Sequence, residues 1–367
     1  MTVLSKRALN RAVLARQSLL ERADRPAIDL IEHLVGLQAQ APFPPYYGLW
    51  TRLRNFRPDE LSQLLLDRHV VRIALLRGTV HLVSAADAAA LRPLLQRLFD
   101  QHLRTNTSWT PLLAGLDLDQ VAADARTLLA ERPHSSAELG RSLAERWPGR
   151  EPTALTFAAR NLLPLVQVPP RAVWGRSGQP TYATFDDWAG RPLDTEPALD
   201  RLVLRYLAAF GPATVRDVQA WCGLTRLGEV VEGLRSRLRT FRTEEGRELF
   251  DLPDAPRPDP DTSAPVRFLP EFDNLLLSYA DRTRVLSEED RKRLSTPNGI
   301  VPGVFLVDGF VHGTWRITQT AARQILELQP FRTVSTRDTA ALRAEGKRLL
   351  RFAEAPDGEV QVCPPVS

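Results

Sequence analysis

The 367-residue chain contains little cysteine, methionine or lysine. Its only cysteines, Cys222 and Cys363, stand far apart and outside the spacings that are typical of zinc ligands. The sequence therefore predicts neither a disulfide framework nor a structural metal, and it suits a reducing cytoplasm. Apolar residues at 43% and charged residues at 25% are average for folded proteins, which excludes a disordered or fibrous chain.

Long apolar runs are also missing. The uncharged stretch 33–51 contains two glutamines and three prolines, which a helix inside a bilayer would not tolerate. The N-terminal segment carries basic residues but lacks the apolar core of a signal peptide. We therefore expect no membrane association.

Lysine occurs only at Lys6, Lys292 and Lys347, so arginine supplies nearly all of the 48 basic residues behind the net charge of +4. The planar guanidinium of arginine makes bidentate contacts with phosphate and guanine, which is compatible with nucleic-acid binding. A genome rich in G and C would give the same bias. Composition alone therefore leaves both explanations open.

Three consecutive segments repeat one order of elements, three short helices followed by two strands. Hydrophobic periodicity and turn residues place these elements as follows. The first segment has helices at 6–20, 27–37 and 58–67 with strands at 70–76 and 79–83; the second has helices at 119–131, 137–146 and 153–163 with strands at 165–168 and 180–185; the third has helices at 199–209, 215–222 and 224–238 with strands at 239–243 and 247–252. This order is typical of winged helix-turn-helix motifs.

The composition changes after residue 253, where a linker rich in proline and aspartate covers 254–265. Beyond it we predict strands at 267–269 and 275–278, a hairpin of strands 303–306 and 310–315 around Asp308-Gly309, and helices at 319–328 and 336–352. The predicted fold is mainly α with β-wings (α+β). It comprises three tandem winged helices, at 1–115, 116–190 and 195–253, and a C-terminal β-rich lobe with a hairpin at 254–367.

Several winged helices on one arginine-rich chain favour DNA binding over protein interaction, because phosphate contacts supply most of the affinity of DNA-binding proteins. The third helix of the last repeat offers Arg226, Arg235 and Arg237, and the second wing offers Arg171 and Arg176. Each of these side chains is otherwise an ordinary solvated surface charge.

Chemistry is concentrated in Gln38-Ala-Gln40. Gln38 continues the apolar face of Leu30 and Leu34, and the prolines from Pro42 onward indicate that the helix ends around 36–38. In an extended segment, residues two apart share a side, so the two amides would converge. Neutral amides cannot take a proton, but they can hold a water molecule. That is sufficient when the leaving group is already cationic, as is a purine alkylated at N7. The alternative is a glutamine pair that caps the helix or satisfies buried backbone groups.

Four motifs occur in order over most of the chain. They are Gly36-Leu-Gln-Ala-Gln-Ala-Pro, Pro45-Tyr-Tyr-Gly-Leu-Trp, Leu76-Arg-Gly-Thr-Val-His-Leu-Val and Leu269-Pro-Glu-Phe-Asp-Asn-Leu. Together they resemble the winged-helix DNA glycosylases of the AlkZ group, which remove alkylated bases and unhook interstrand crosslinks. The resemblance implies that Gln38 and Gln40 are catalytic, that three winged helices form a concave surface for double-stranded DNA, and that neither a metal nor another cofactor is used.

The first wing carries Arg77, Thr79 and His81, and period two places the last two on one face. The resemblance implies contact between this wing and the DNA backbone. The alternative for His81 is a hydrogen bond inside the first domain. On the Asp308-Gly309 hairpin, His312 and Trp315 are either packing residues or a probe toward DNA, and we expect the hairpin turn to face the cleft that holds Gln38.

Aromatic and acidic residues near these motifs have simpler interpretations. Helical spacing makes core packing the default for Tyr46, Tyr47 and Trp50, although an aromatic wall against a modified base is an alternative. Glu271 and Asp273 are interpreted as structural, with Asp273 capping a local turn.

The predicted function is a monofunctional, monomeric DNA glycosylase that acts on N7-alkylated purines and unhooks crosslinks in duplex DNA, giving resistance to an alkylating natural product. We expect it in the bacterial cytoplasm, associated with the nucleoid. The first alternative is a winged-helix transcription regulator without catalytic activity, which would pair as a dimer with two half-sites. A second alternative is a crosslink-binding protein that releases no base.

Overall fold

A computed structural model describes residues 2–196, 198–294, 299–319 and 323–365. In the first half of the chain the elements are β1 (Val3–Leu4), α1 (Lys6–Arg16), α2 (Ala27–His33), β2 (Leu37–Gln38), α3 (Pro44–Trp50), α4 (Pro58–Leu66), β3 (Val70–Ala74), β4 (Val80–Ser84), α5 (Ala85–Thr105), α6 (Leu118–Glu131), β5 (His134–Ser135), α7 (Ser136–Arg146), α8 (Pro152–Leu162), β6 (Leu165–Gln167), β7 (Thr181–Thr184) and α9 (Phe185–Ala189). The predicted positions of most helices in this half are confirmed. The long helix α5 is an element that the repeat pattern did not predict.

The second half begins with α10 (Leu199–Phe210), α11 (Val215–Cys222), α12 (Gly228–Gly233), β8 (Arg239–Thr243) and β9 (Glu248–Asp251). It continues with β10 (Arg267–Leu269), α13 (Asn274–Leu277), α14 (Glu288–Leu294), β11 (Val304–Val307), β12 (Phe310–Gln319), β13 (Gln324–Pro330), α15 (Thr336–Phe352) and β14 (Glu359–Val362). The protein has an α+β fold. No helix of the described residues has the length and apolarity needed to cross a membrane.

Local capping explains where several helices begin and end. The Ser135 side chain accepts a hydrogen bond from the Glu138 N–H while Glu138 reaches back to the Ser135 N–H, and Thr214 and Asp217 make the same reciprocal pair at α11. Helix α11 ends where Gly223 takes a left-handed conformation, with φ of 85°. These signals are local in sequence, so the sequence predicted these boundaries well.

Three sheets connect the segments. The largest has the order β2-β4-β3-β6-β7-β5, in which Arg72 of β3 pairs with Gln167 of β6. The strands of the first two predicted units therefore form one continuous sheet. A second sheet has the order β1-β8-β9, and its parallel pair of Val3 with Arg242 attaches the N-terminal strand to the third unit. The third sheet has the order β10-β11-β12-β13-β14.

Two predictions in the C-terminal lobe are wrong. The segment 275–278 is not a strand: it lies mostly in helix α13, whose first turn is capped by the Asp273 carboxylate accepting from the Leu275 N–H. The predicted helix 319–328 is mainly strand, with residues 320–322 outside the described residues. In β13, Leu326 and Leu328 are buried alternately and the strand pairs with β12 and β14. Cross-strand pairing here overrides local helix preference.

The Asp308-Gly309 turn joins β11 to β12, which confirms the predicted hairpin. Both residues have positive φ, 47° and 81°, as a two-residue hairpin of this kind requires. The turn packs on helix α1. Arg7 Nη1 donates to Asp308 Oδ2 at 2.6 Å, Arg11 donates to Asp308 Oδ1, and Asn10 Nδ2 donates to the Gly309 carbonyl at 2.7 Å. The turn is therefore bound to helix α1. That it faces the cleft that holds Gln38 stays a prediction.

Asp308→Ala should destabilise the fold, because it leaves the fully buried Arg11 side chain without its carboxylate. Since Asp308 itself is 45% exposed, we expect a loss of about 1–2 kcal/mol in the free energy of unfolding. Urea unfolding would measure this loss. The control is Glu289→Ala, which removes an exposed ion pair on α14 and should cost about 0.5 kcal/mol or less. Equal losses for the two variants would contradict this role of the turn.

Candidate catalytic site

The motif lies at an end strand of the six-stranded sheet, reached by a tight turn after α2. Val35 and Gly36 both have positive φ, 54° and 92°. A Cβ on Gly36 would lie 2.4 Å from Val83 Cγ1, so only glycine fits there. The predicted helix is thus too long: it ends at His33, and Gln38 lies on strand β2. The Gly36 carbonyl accepts from Asn274 Nδ2 at 2.7 Å, so the C-terminal lobe braces the turn.

Gln38 and Gln40 both contact the segment 77–81. Gln38 is 7% exposed, and in the sheet it pairs with His81 of the neighbouring strand β4. Its Oε1 accepts a hydrogen bond from Arg77 Nη2 at 2.7 Å. Gln40 is exposed, and its Oε1 accepts from the Val80 N–H at 3.0 Å. The bond to Val80 is also what a purely structural glutamine would make. Each carbonyl oxygen has a second lone pair, so each amide is able to accept from a water molecule as well.

The backbone of the motif is held by a buried arginine. Ala39 N–H donates to the Val80 carbonyl at 2.7 Å, and the Ala39 carbonyl accepts from Arg72 Nη2 at 2.6 Å. Arg72 is 1% exposed, and burial lowers its pKa to about 10. Sequence reasoning missed this residue. The available signal is an arginine inside the otherwise apolar strand Val70–Ala74.

Arg77 does not point outward as a phosphate contact would. It has a φ of 56° in the turn between β3 and β4, and its guanidinium donates to Gln38 and to the Trp221 carbonyl in α11. Burial lowers its pKa to about 10. The guanidinium of Arg77 therefore already has two acceptors inside the protein, and its predicted contact with DNA stays a prediction.

His81 and Thr79 also make internal contacts. The His81 ring is 1% exposed, with Nδ1 lying 2.9 Å from the Thr79 carbonyl, and Thr79 Oγ1 donates to the Leu76 carbonyl at 3.1 Å. Because a carbonyl only accepts, the proton of the neutral ring is on Nδ1. Burial, and then the charge of Arg77, lower the pKa of His81 to about 3. This geometry agrees with the internal alternative for His81.

A neutral buried His81 makes stability depend on pH. The pKa is lower in the folded protein than the ordinary value near 6.5, so acid favours the unfolded chain, which binds the proton more readily. The stabilisation is complete above about pH 6.5 and is lost as the pH falls toward 3. Urea unfolding at pH 7.5 and at pH 5 measures how much free energy of unfolding each protein loses on acidification. This loss should be smaller in His81→Asn than in wild type, because the asparagine amide N–H replaces the donor to Thr79 without titrating. Equal losses in the two proteins would show that another group titrates.

The other predicted arginines differ in their availability. Arg226 and Arg237 are exposed. Arg235 is bound by Glu232 and Glu248, and these hydrogen bonds raise its pKa, so its charge is already paired. Whether these side chains touch DNA stays a prediction.

Arg171 and Arg176 of the second wing line an open cavity of about 520 Å³. Arg171 Nη1 donates to the Gly178 carbonyl at 2.8 Å, whereas Arg176 is exposed. Phe43, Tyr47 and Trp174 are also in the lining. Pro42, two residues after Gln40 in the chain, also lines the cavity.

On the C-terminal hairpin, His312 and Trp315 have packing contacts. Trp315 Nε1 donates to the Leu269 carbonyl at 2.8 Å, and the ring lies 5.8 Å from that of Tyr47. His312 Nε2 lies 3.4 Å from the Thr333 carbonyl. The contacts of Trp315 agree with the packing alternative. Whether His312 or Trp315 reaches DNA stays a prediction.

The structural interpretation of Asp273 agrees with its contacts. Its two carboxylate oxygens accept from the two terminal nitrogens of Arg52, each at 2.8 Å, with both side chains at most 1% exposed. Glu271 is exposed by comparison, although partial desolvation raises its pKa. Tyr46 is fully buried and donates to the Ala172 carbonyl at 2.7 Å, and Trp50 is 7% exposed, so the core interpretation agrees with the structure for these two residues. Tyr47 is partly buried and lines the cavity, so an aromatic wall against a modified base stays a prediction for it.

Comparisons with known proteins agree on one family. A family model described as DNA glycosylase AlkZ-like matches residues 31–352. A relative from Streptomyces sahachiroi, named interstrand DNA cross-link repair glycosylase, is 25% identical over 358 residues, which is 92% of this chain and 93% of the relative. The solved structure of the Streptomyces sahachiroi DNA glycosylase AlkZ has a TM-score of 0.80 at 20% identity, covering 99% of this chain and 100% of that one, which shows a shared fold. Because the family model spans most of the sequence, this chain belongs to the AlkZ-like DNA glycosylases, which hydrolyse N-glycosyl bonds in DNA.

Proposed function

We propose that this DNA glycosylase removes purines alkylated at N7 from duplex DNA and unhooks interstrand crosslinks made through that atom. The observation that carries the proposal is that Gln38 and Gln40 are both held against the segment 77–81, with one amide buried and the other exposed. In this proposal the two amides together hold one water molecule between the protein interior and the bound DNA.

Hydrolysis in this scheme needs no strong acid or base. The N7-alkylated purine is cationic, so the C1′–N9 bond breaks with its electron pair returning to the base, which leaves neutral. Water held by the two amides adds to C1′ of the oxocarbenium-like sugar and then loses its proton to solvent. The neutral His81 offers no proton at ordinary pH, which suits a reaction whose leaving group requires none.

The remaining predicted features belong to the same proposal. The three tandem winged helices, at 1–115, 116–190 and 195–253, would form the DNA-binding surface, and the exposed Arg176, Arg226 and Arg237 would contact phosphates. The enzyme would act as a monomer without a cofactor. The name of the Streptomyces sahachiroi relative supports crosslinks as a substrate class, and resistance to an alkylating toxin would follow from that activity.

The test is incubation of the purified protein with duplex DNA that contains N7-methylguanine, followed by measurement of abasic sites and of free base. Single-turnover release of 7-methylguanine is the expected result. Sequence-selective binding without release would favour the transcription-regulator alternative. Protection of a crosslinked duplex without release would favour a crosslink-binding protein.

A further inference from the structure

Arg77 connects the motif to the third unit of the chain. One terminal nitrogen of its guanidinium donates to Gln38 Oε1 at 2.7 Å, and the other donates to the Trp221 carbonyl in α11. Among the residues that the structure describes, no carboxylate forms an ion pair with it. Partial burial of a cation that has only neutral acceptors costs free energy of folding, so stability alone does not account for an arginine here.

The packing around Arg77 is close enough to hold it in place. Gly223 directly follows α11 with φ of 85°, and a Cβ there would lie 3.1 Å from the Arg77 Cα. The turn between β3 and β4 thus touches the end of α11 through backbone atoms. A substitution at Gly223 would push this turn away from the third unit, so the junction depends on glycine.

The contact with Arg77 also determines how the Gln38 amide is oriented. A glutamine amide has an acceptor side and a donor side, and rotating it by half a turn exchanges them. The guanidinium accepts nothing, so the rotated amide would set N–H groups against N–H groups and lose a charge-assisted hydrogen bond. Gln38 is therefore restricted to one of its two orientations.

We propose that Arg77 is a positioning residue, which holds the Gln38 amide in the orientation that catalysis requires and couples it to α11. This role rests on the proposed function, because it assumes that Gln38 acts in base release. It differs from the DNA-backbone contact predicted for Arg77 from the sequence and from a role in folding alone.

The chain offers a matched control in Arg68. Like Arg77, Arg68 flanks β3 in a left-handed conformation, with φ of 63°, and it donates to a tryptophan carbonyl, that of Trp188, at 3.1 Å. It makes no contact with the motif. Arg77→Met and Arg68→Met therefore each remove a guanidinium and its bond to a tryptophan carbonyl, at the two ends of one strand. Arg68 differs in being exposed and in lying over the Trp188 ring.

Three measurements on the full chain decide the role of Arg77. Single-turnover release of 7-methylguanine should fall about tenfold or more in Arg77→Met and stay near wild type in Arg68→Met. DNA affinity and its dependence on salt should be unchanged in both. The double variant Arg77→Met with Gln38→Ala should be no slower than Gln38→Ala alone. Additive losses would overturn the proposal, and so would a salt dependence weakened by about one phosphate contact.

A fourth measurement does not depend on activity. The side-chain amide signal of Gln38, identified in the ¹⁵N spectrum by its disappearance in Gln38→Ala, should shift or broaden in Arg77→Met and not in Arg68→Met. An unchanged signal would overturn the proposal even if the enzyme is active. Failure of the wild-type protein to release base would instead contradict the proposed function. If Arg77→Met does not fold, Arg77→Lys replaces it in each experiment. Lysine keeps the charge but has no planar guanidinium to donate to Gln38 and to the Trp221 carbonyl at the same time.

Discussion

Gln40→Ala is expected to lower the rate of base release by about 100-fold or more while DNA affinity stays nearly the same. The loss follows from removal of a group that acts on the transition state, whereas phosphate contacts dominate affinity. Because Gln40 is exposed, its replacement should hardly affect the free energy of unfolding. Single-turnover rates and fluorescence anisotropy with an N7-methylguanine duplex measure the two quantities.

Gln38→Ala should reduce the rate to a similar extent, but it also leaves Arg77 without one acceptor at a site that is 7% exposed. We expect it to cost about 1–3 kcal/mol of stability, so Gln40→Ala is the cleaner test. Rates like that of the wild type in both variants would show that the catalytic centre lies elsewhere. Gln40→Asp should retain measurable activity, because a carboxylate can hold the water and accept its proton.

The surroundings of Gln38 determine how Gln38→Glu should behave. A position on an apolar helix face would reject a carboxylate, but Gln38 lies on a strand next to Arg77, which has no acidic partner among the described residues. A glutamate there would form a partly buried ion pair. We therefore expect this variant to fold. Its activity should be limited by the replacement of the amide with a carboxylate rather than by lost stability.

Asp273→Asn should produce the largest loss of stability, about 3–5 kcal/mol, because it breaks a buried ion pair and leaves Arg52 charged in the core. The pair joins the turn after α3 to the C-terminal lobe, and Asp273 also caps α13 through the Leu275 N–H. The same lobe holds the Gly36 carbonyl through Asn274, so the motif should also become less ordered. Urea unfolding measures the free energy.

A control for Asp273→Asn is Glu21→Gln, which weakens the exposed pair of Glu21 with Arg54. Exposed pairs contribute little, so the control should stay within about 1 kcal/mol of wild type. A loss below about 1 kcal/mol for Asp273→Asn would show that the Arg52 charge is accommodated in another way. Retained excision by a folded Asp273→Asn protein would show that the lobe does not order the motif.

Features with a local physical cause could be predicted from the sequence. The boundaries 336–352 of the last helix follow from its periodicity, and the starts of α7 and α11 follow from Ser135 and Thr214 with their capping partners. The hairpin at Asp308-Gly309 follows from the turn residues alone. The resemblance of ordered motifs was enough to place the chain among DNA glycosylases, because each motif keeps its residues close together along the chain.

Only the tertiary structure decided which functional groups are free and which are already bound. The sequence left open whether His81 contacts DNA or bonds inside the first domain, and it gave no sign that Arg77 donates to the Trp221 carbonyl. In the folded protein, the His81 ring lies against the Thr79 carbonyl. Strand β13 forms where a helix was predicted, since its partners β12 and β14 come together only in the folded lobe. Burial and cross-strand pairing depend on residues far apart along the chain, and these long-range contacts override local preference.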